Sequence, residues 1–345
     1  MPFKKATSDL YVNPAKVART QSNVNENSRS FKRSDGNVND NVMRVDLGVQ
    51  QTFMPQPAVQ ENFPPSALES DYSYQFTGQT DDIDAHVADN PLYVTDYVDD
   101  MYNHFRQQEV EKQVLSNYME RQQYINSKMR AILVDWLVEV HLRFKLVPET
   151  LYLCVSLIDR YLSKREVSRT KLQLVGVTCM FIASKYEEIY PPELRDLVYI
   201  CDNAYTKEEI IDMEEILLRT LKYRVTIPSA HTFLIRFLKA AHADKSMVQL
   251  TYYILDSTLQ CNGLLDFLPS QLAAASIFVA RRCIGRNTWS PTLLKYSGYY
   301  AEDIAPIARE VIREISSQKE LKAVDNKYSS KRYGAVSKYE FTIDF

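Results

Sequence analysis

The sequence predicts an all-α fold: two tandem five-helix units, preceded by an N-terminal helix and a disordered tail. Apolar residues recur at helical spacing from about residue 90 onward, and the 345-residue chain holds only 8 glycines. The segment from Leu172 to Glu188, LQLVGVTCMFIASKYEE, starts with no polar face, the pattern of a helix covered on all sides by others. A later stretch repeats an earlier one at a shift of about 97 positions, so a second copy follows the first unit.

Residues 1–88 form the tail, rich in Asn, Gln, Ser, Asp and Pro, with apolar residues scattered out of helical period. Basic residues gather early (Lys4, Lys5, Lys16, Arg19, Arg29, Lys32, Arg33, Arg44) and acids dominate near 81–89. A solvated tail accounts for the basic residues; nuclear import or phosphate contacts are the alternative. Asn90-Pro91 opens the N-terminal helix, where Val94, Tyr97, Val98, Met101, Tyr102 and Phe105 recur at helical spacing. A looser link follows through Tyr118 and Tyr124.

The next helix, 129–140 (MRAILVDWLVEV), carries two apolar stripes. One is Met129, Leu133, Trp136 and Val140 with Ile132 beside them; the other is Val134, Leu137 and His141. Asp135 and Glu139 mark a narrow wet edge. Either both stripes are buried between helices, or one is left as a groove for a short peptide. Helices at 148–162, 171–186, 193–200 and 206–221 complete the unit. Pro191-Pro192 forces a turn, and Ile227-Pro228 ends it. Gly176 and Ala183 let neighbours approach the central helix, which turns charged at Lys185, Tyr186, Glu187 and Glu188.

In the repeat, Trp136-Leu137 falls on Phe233-Leu234, Val140 on Phe237, and Ile158-Asp159 on Leu255-Asp256. Met180-Phe181-Ile182-Ala183 falls on Ile277-Phe278-Val279-Ala280. Positions the fold needs should recur in both copies; positions a site needs can differ. Lys185 becomes Arg282 and, with a small slip in the loops, Glu214 becomes Ala308. Met129 becomes Thr226, Leu133 becomes Ala230, and Glu139 becomes Arg236. A site in the first unit explains that difference. The expected organisation is a tail to 88, units at 90–225 and 226–318, and an extension over 319–345. Lys327, Tyr328, Lys331, Tyr339 and Phe341 suggest that this extension is partly docked.

Composition narrows the function. A hydrophobic content of 45% is ordinary for a globular protein, and a net charge of −3 supplies no basic field for nucleic acid or an anionic membrane. The five cysteines have no CxxC spacing, and Cys154, Cys179 and Cys283 lie in apolar helical runs. They read as free thiols in a reducing compartment, without zinc or disulfides. MPFKKATSDL has no apolar core for a signal peptide, and no run reaches membrane-spanning length, so the expected residence is nuclear or cytosolic. GxGxxG, P-loop and HExxH patterns are absent, and the histidines lack metal-ligand spacing, so neither cofactor nor catalytic residue is expected. Lys185 and Glu214 could in principle act as acid and base, but their helix-end positions suggest a surface pair. The chain reads as a binding protein.

TDYVDDMYNHFR, MRAILVDWLVEV, LIDRYL, KLQLVGVTCMFIASKYEEIYPPE and WSPTL strongly resemble the mitotic cyclins, over roughly residues 90–315. VGVT-x-MFIASKYEE, followed by DNAYT, is closer to the B-type than to the A-type. The resemblance implies two cyclin boxes in a regulatory subunit that binds and activates a cyclin-dependent Ser/Thr kinase at the G2/M transition. Lys185 and Glu214 match the pair that captures main-chain groups beside the kinase's αC helix. Tyr186, Tyr223, Tyr97 and Met101 match residues buried against that helix and its lobe. Met129, Ile132, Leu133, Trp136, Leu172 and Gln173 match the patch that docks Arg-x-Leu peptides of substrates or inhibitors, with Glu139 the acid for the peptide's basic residue. Arg130 and Asp159 match a structural pair that ties two helices together.

In the tail, Arg44-Val-Asp-Leu47-Gly resembles a destruction box, although Thr52 replaces the usual terminal Asn. It implies a ubiquitin ligase of the anaphase-promoting type as a further partner, and the family is expected in nucleus and cytoplasm. Two rival readings stand beside this one. A DNA-binding two-box protein would need a basic face, and a plain helical scaffold without kinase activation would give Lys185 and Glu214 no special role.

Overall fold

The structure, a computed structural model, describes residues 80–318, 320–339 and 341. Helix α1 (Val98–Glu111) precedes a first box of α2 (Ser127–Phe144), α3 (Pro148–Leu162), α4 (Arg169–Glu187), α5 (Leu194–Ile200) and α6 (Lys207–Thr220). The second box comprises α7 (Ala230–Ala240), α8 (Lys245–Thr258), α9 (Pro269–Cys283), α10 (Pro291–Ser297) and α11 (Ala301–Ser317), and α12 (Ala323–Ser329) follows. Among the described residues there is no strand. Five helices per box and a covered central helix in each, α4 and α9, match the expected architecture.

Local chemistry sets the helix ends. Asn126 caps α2 by accepting from the Met129 amide at 3.0 Å, satisfying one of the first-turn donors. Pro148 supplies the fixed φ that suits a first helical position in α3. Glu188, just past α4, reaches the same end of α3 and accepts from Val147 N at 2.8 Å and Thr150 Oγ1 at 2.6 Å. Part of the charged cluster that ends α4 is thus structural. Gly176 is where α2 meets α4: a Cβ there would lie 2.7 Å from Leu133 Cδ1, far inside contact distance.

Several expectations change. The N-terminal helix does not start at Asn90: Pro91–Tyr93 and Thr95–Tyr97 are separate 3-10 turns around Val94 at φ 42°. A left-handed residue breaks the i→i+4 ladder, so side-chain period alone overstates the helix. Helix α1 precedes the first box and packs on the second. Tyr102 donates to Thr232 O at 3.1 Å, Arg106 to Tyr299 Oη at 2.8 Å, and the Ser270 amide to Glu109 at 2.9 Å. The acids near 81–89 are not all tail. Ile83 is buried and Asp84 pairs with Arg236 and Lys239. Asp135 leaves its expected wet edge because the extension covers it, its carboxylate accepting from Ala323 N at 2.9 Å and Gln260 Nε2 at 2.8 Å.

Candidate binding surface of the first box

Lys185 sits in the last turn of α4 and Glu214 in the middle of α6, and the two form an ion pair at the box surface. The Lys185 side chain is 42% exposed and Glu214 15%, so the carboxylate is the more enclosed partner. The Lys185 ammonium also lies 4.1 Å from the Phe181 ring centroid. Next to it, the Tyr186 hydroxyl shares a hydrogen bond with Thr226 Oγ1, which ties the end of α4 to the linker between the boxes. Tyr223 stands on the same stretch, 65% exposed. Lys222 and Tyr223 are consecutive residues at φ 53° and 55°, a conformation that costs a side-chain-bearing residue roughly 1 kcal/mol or more. The Tyr223 ring is thus held in solvent by a stretch of left-handed backbone.

Tyr97 and Met101 lie one turn apart at the start of α1, and both are exposed. Helix α1 reaches the linker through Lys112, whose ammonium donates to Thr226 O at 3.0 Å. The structure therefore brings Lys185, Glu214, Tyr186 and the Tyr223 loop together, and joins α1 to them at its far end. Ile189 and Tyr190, more than four-fifths exposed just beyond α4, are surface apolar residues that helical period alone does not single out. Their signal was an apolar pair between Glu188 and Pro191-Pro192, where no helical period buries it.

The equivalent place in the second box is different. Arg282 stacks over Phe278 at 5.0 Å, as Lys185 does over Phe181, but Ala308 offers no carboxylate and is fully buried. Arg282 keeps a buried Nε without a partner. The ion pair belongs to the first box alone.

The seven residues of the expected docking patch divide by exposure. Leu133, Trp136, Leu172 and Gln173 are buried, and Val140 with them, so packing accounts for most of both α2 stripes. Met129, Ile132 and Glu139 are half-buried and form the accessible part. Gln173 keeps a buried side-chain Nε2 with no partner. Burial, and then the nearby Asp135 charge, push the Glu139 carboxyl above its ordinary value. Arg44, Leu47 and Thr52 lie outside the described residues. Among the described residues no cluster of His, Cys, Asp or Glu suits a metal ion, and no helix is long and apolar enough to cross a membrane.

Residues 100–226 match the cyclin N-terminal domain and residues 228–342 the cyclin C-terminal domain. The G2/mitotic-specific cyclin-B of Spisula solidissima is 42% identical over 297 residues, covering 83% of this chain and 67% of that protein. The chain belongs to the cyclins, and among them to the mitotic B type. The G2/mitotic-specific cyclin-B of Arbacia punctulata is 45% identical over 267 residues, covering 75% of this chain. The match spans 65% of that relative, so the chain spans less than two thirds of its length. A viral cyclin from herpesvirus saimiri has the same fold at 22% identity and a TM-score of 0.56, covering 62% of this chain and 96% of that one. The cyclin C-terminal match runs through α12, so the expected extension is continuous with the second box. Cyclins are regulatory subunits of kinases and not enzymes, in line with the non-catalytic reading of the sequence.

The cyclin boxes are tied together by buried polar contacts. Arg130 grips Asp159 in two bonds, Nε to Oδ1 at 2.6 Å and Nη2 to Oδ2 at 2.7 Å, and donates a third to Leu259 O of the second box at 3.0 Å. Tyr118 adds a fourth, to Asp159 Oδ1 at 2.8 Å. The Arg130–Asp159 contact joins α2 to α3, and through Leu259 it reaches across the box boundary.

Proposed function

We propose that this cyclin binds and activates a cyclin-dependent Ser/Thr kinase at the G2/M transition through the face around Lys185, Glu214, Tyr186 and Tyr223, with Tyr97 and Met101 on α1. The observation that carries the proposal is the ion pair and its exposed aromatic surround in the first box, absent from the equivalent place in the second. A kinase is competent only when its αC glutamate pairs with its β3 lysine. A rigid helical face that binds only the inward αC position shifts that equilibrium by its differential affinity. Most affinity comes from the aromatic side chains, because exposed charges gain little after desolvation.

The rim of Met129, Ile132 and Glu139 over buried Leu133, Trp136, Leu172 and Gln173 docks Arg-x-Leu peptides of substrates or inhibitors. The Glu139 carboxyl suits the peptide's arginine, and the unpartnered Gln173 amide offers a donor to its backbone. Arg44 and Leu47 serve a ubiquitin ligase of the anaphase-promoting type. The five free cysteines, four of them buried, suit residence in nucleus and cytoplasm.

Histone-peptide phosphorylation by a purified cell-cycle kinase tests the main proposal. The chain should raise the rate strongly, and Lys185→Glu should lower that activation by roughly 30-fold or more, because the reversed charge sets two carboxylates against each other at the interface. Equal activation by both forms would move the contact elsewhere. No activation by either would return the plain-scaffold reading.

A further inference from the structure

A basic seat lies on the second box, beside the start of α1. Arg236 and Lys239 on α7 hold Asp84, at 2.6 and 2.8 Å, and His242 meets Asp81 at 3.0 Å. Between the two acids Ile83 is buried, and its amide donates to Tyr296 Oη on α10 at 3.3 Å. The Asp81 amide donates to Thr292 Oγ1 at 3.2 Å, and the Tyr296 hydroxyl donates to Asp81 O at 3.3 Å. The seat therefore reads two carboxylates, one apolar side chain and three backbone groups of a single short segment.

The seat is built rather than incidental. Arg236 is only 8% exposed, with its guanidinium held over the Tyr296 ring at 4.8 Å and the Tyr102 ring at 5.4 Å. Lys295 stands exposed beside Tyr296 as a further cation at the edge. Burial alone would raise the Asp84 carboxyl, but the bonds and charges of Lys239 and Arg236 bring it below its ordinary value. In the repeat, Arg236 stands where the first box has Glu139. One face of the box fold is thus acidic in one copy and basic in the other.

The segment that fills the seat is lightly attached. Ile83 is its one buried residue, while Asp82, Ala85 and His86 on either side are exposed. The His242–Asp81 pair, half exposed, is weak and screened by salt, whereas the Arg236–Asp84 pair is enclosed. One apolar side chain, two ion-paired carboxylates and three backbone bonds hold the segment, a set that another segment of the same pattern can reproduce.

We propose that this face of the second box is a docking groove for acidic peptides of the pattern Asp-x-(apolar)-Asp. It is occupied in cis by residues 81–84 and accepts a partner's segment of the same chemistry when these leave. The partner is a protein with an exposed acidic stretch around one aliphatic residue. This groove stands independently of the kinase-binding and Arg-x-Leu readings.

The test uses the full chain and a fluorescent peptide with the sequence of residues 80–88, TDDIDAHVA. In the chain carrying Asp81→Asn, Ile83→Ser and Asp84→Asn the seat is empty, and anisotropy should show binding that weakens with salt. The unaltered chain should bind at least about tenfold more weakly, since its own segment competes. Adding Arg236→Ala to the emptied chain should cost about tenfold or more, as loss of a buried interfacial charge partner does. No binding to the emptied chain, or binding indifferent to Arg236→Ala and Lys239→Ala, would overturn the proposal. A second measurement leaves the fold untouched: excess unlabelled peptide should speed amide exchange at Ile83 in the unaltered chain. Unchanged exchange there would overturn it equally.

Discussion

Asp159 on α3 and Asp256 on α8 are equivalent positions of the two boxes, and each is 2% exposed. The carboxylates are answered from different places. Asp159 is gripped by Arg130 from the first helix of its own box. The equivalent of Arg130 is Ile227, which carries no charge, and Asp256 is met instead by Lys327 of α12 at 2.7 Å. Tyr152 of the first box and Tyr328 of α12 complete its bonds at 2.7 and 2.8 Å. Burial alone would raise the Asp256 carboxyl; the Lys327 charge, then bonds from Lys327, Tyr152 and Tyr328, bring it below its ordinary value. An unpaired buried carboxylate is so costly that both boxes must supply a cation, but the fold leaves its origin open. The first box takes it from its own helices and the second borrows it.

Removing each cation tests this comparison with the largest expected effect. Arg130→Ala should lower stability by about 3–5 kcal/mol, the cost of breaking a buried pair, read as a lower urea midpoint. Lys327→Ala should fall at the low end of that range, near 3 kcal/mol, because a lifted α12 lets water reach Asp256. A loss below about 1 kcal/mol for Lys327→Ala would show that the second box does not depend on α12.

Acid should expose the next difference. His141 is buried, which with the Lys327 charge holds it down to about 4 from an ordinary 6.5. The unfolded chain then binds the extra proton first, so this contribution is complete above pH 6.5 and lost as pH falls toward 4. The loss is on the order of 3 kcal/mol. The second box has Leu238 there, which does not titrate. Urea midpoints at pH 7 and 4.5 should converge between the chain and His141→Gln; a slope unaffected by the substitution would remove His141 as its source.

Gly176 sharpens the packing side. Leu133 faces it, whereas the second box has alanine at both equivalent positions, Ala230 and Ala273. Gly176→Ala should therefore cost about 1–3 kcal/mol through overpacking, with strong non-additivity against Leu133→Ala in a thermal-melt cycle. Simple additivity would mean that α2 can shift away. The smallest effect is expected at Arg282. Arg282→Ala should change kinase activation less than about twofold, since that site lacks the carboxylate partner. A large loss would extend the kinase contact to the second box.

The parts legible in the sequence were those carried by period and by repetition. Helix α3 has the bounds its apolar period predicts, and the Lys185–Glu214 pair stood out because its repeat positions hold Arg282 and Ala308. What periodicity cannot report is what lies against a face. The Leu133 and Trp136 stripe reads identically whether a helix or solvent covers it. Lys327 and Asp256 are 71 residues apart in sequence, and no spacing rule links a lysine in a short extension to a distant aspartate. Asp81, Ile83 and Asp84 looked like tail because three anchoring side chains make no period at all.

The loan of Lys327 to Asp256 also has an order in time. A ribosome completes every helix of the second box before it adds the residue that neutralises that box's buried carboxylate. Until then Asp256 has Tyr152 beside it but not the lysine that neutralises it. Helix α12 thus sets the order of assembly: a chain that stops before residue 327 leaves the Asp256 carboxylate without its cation.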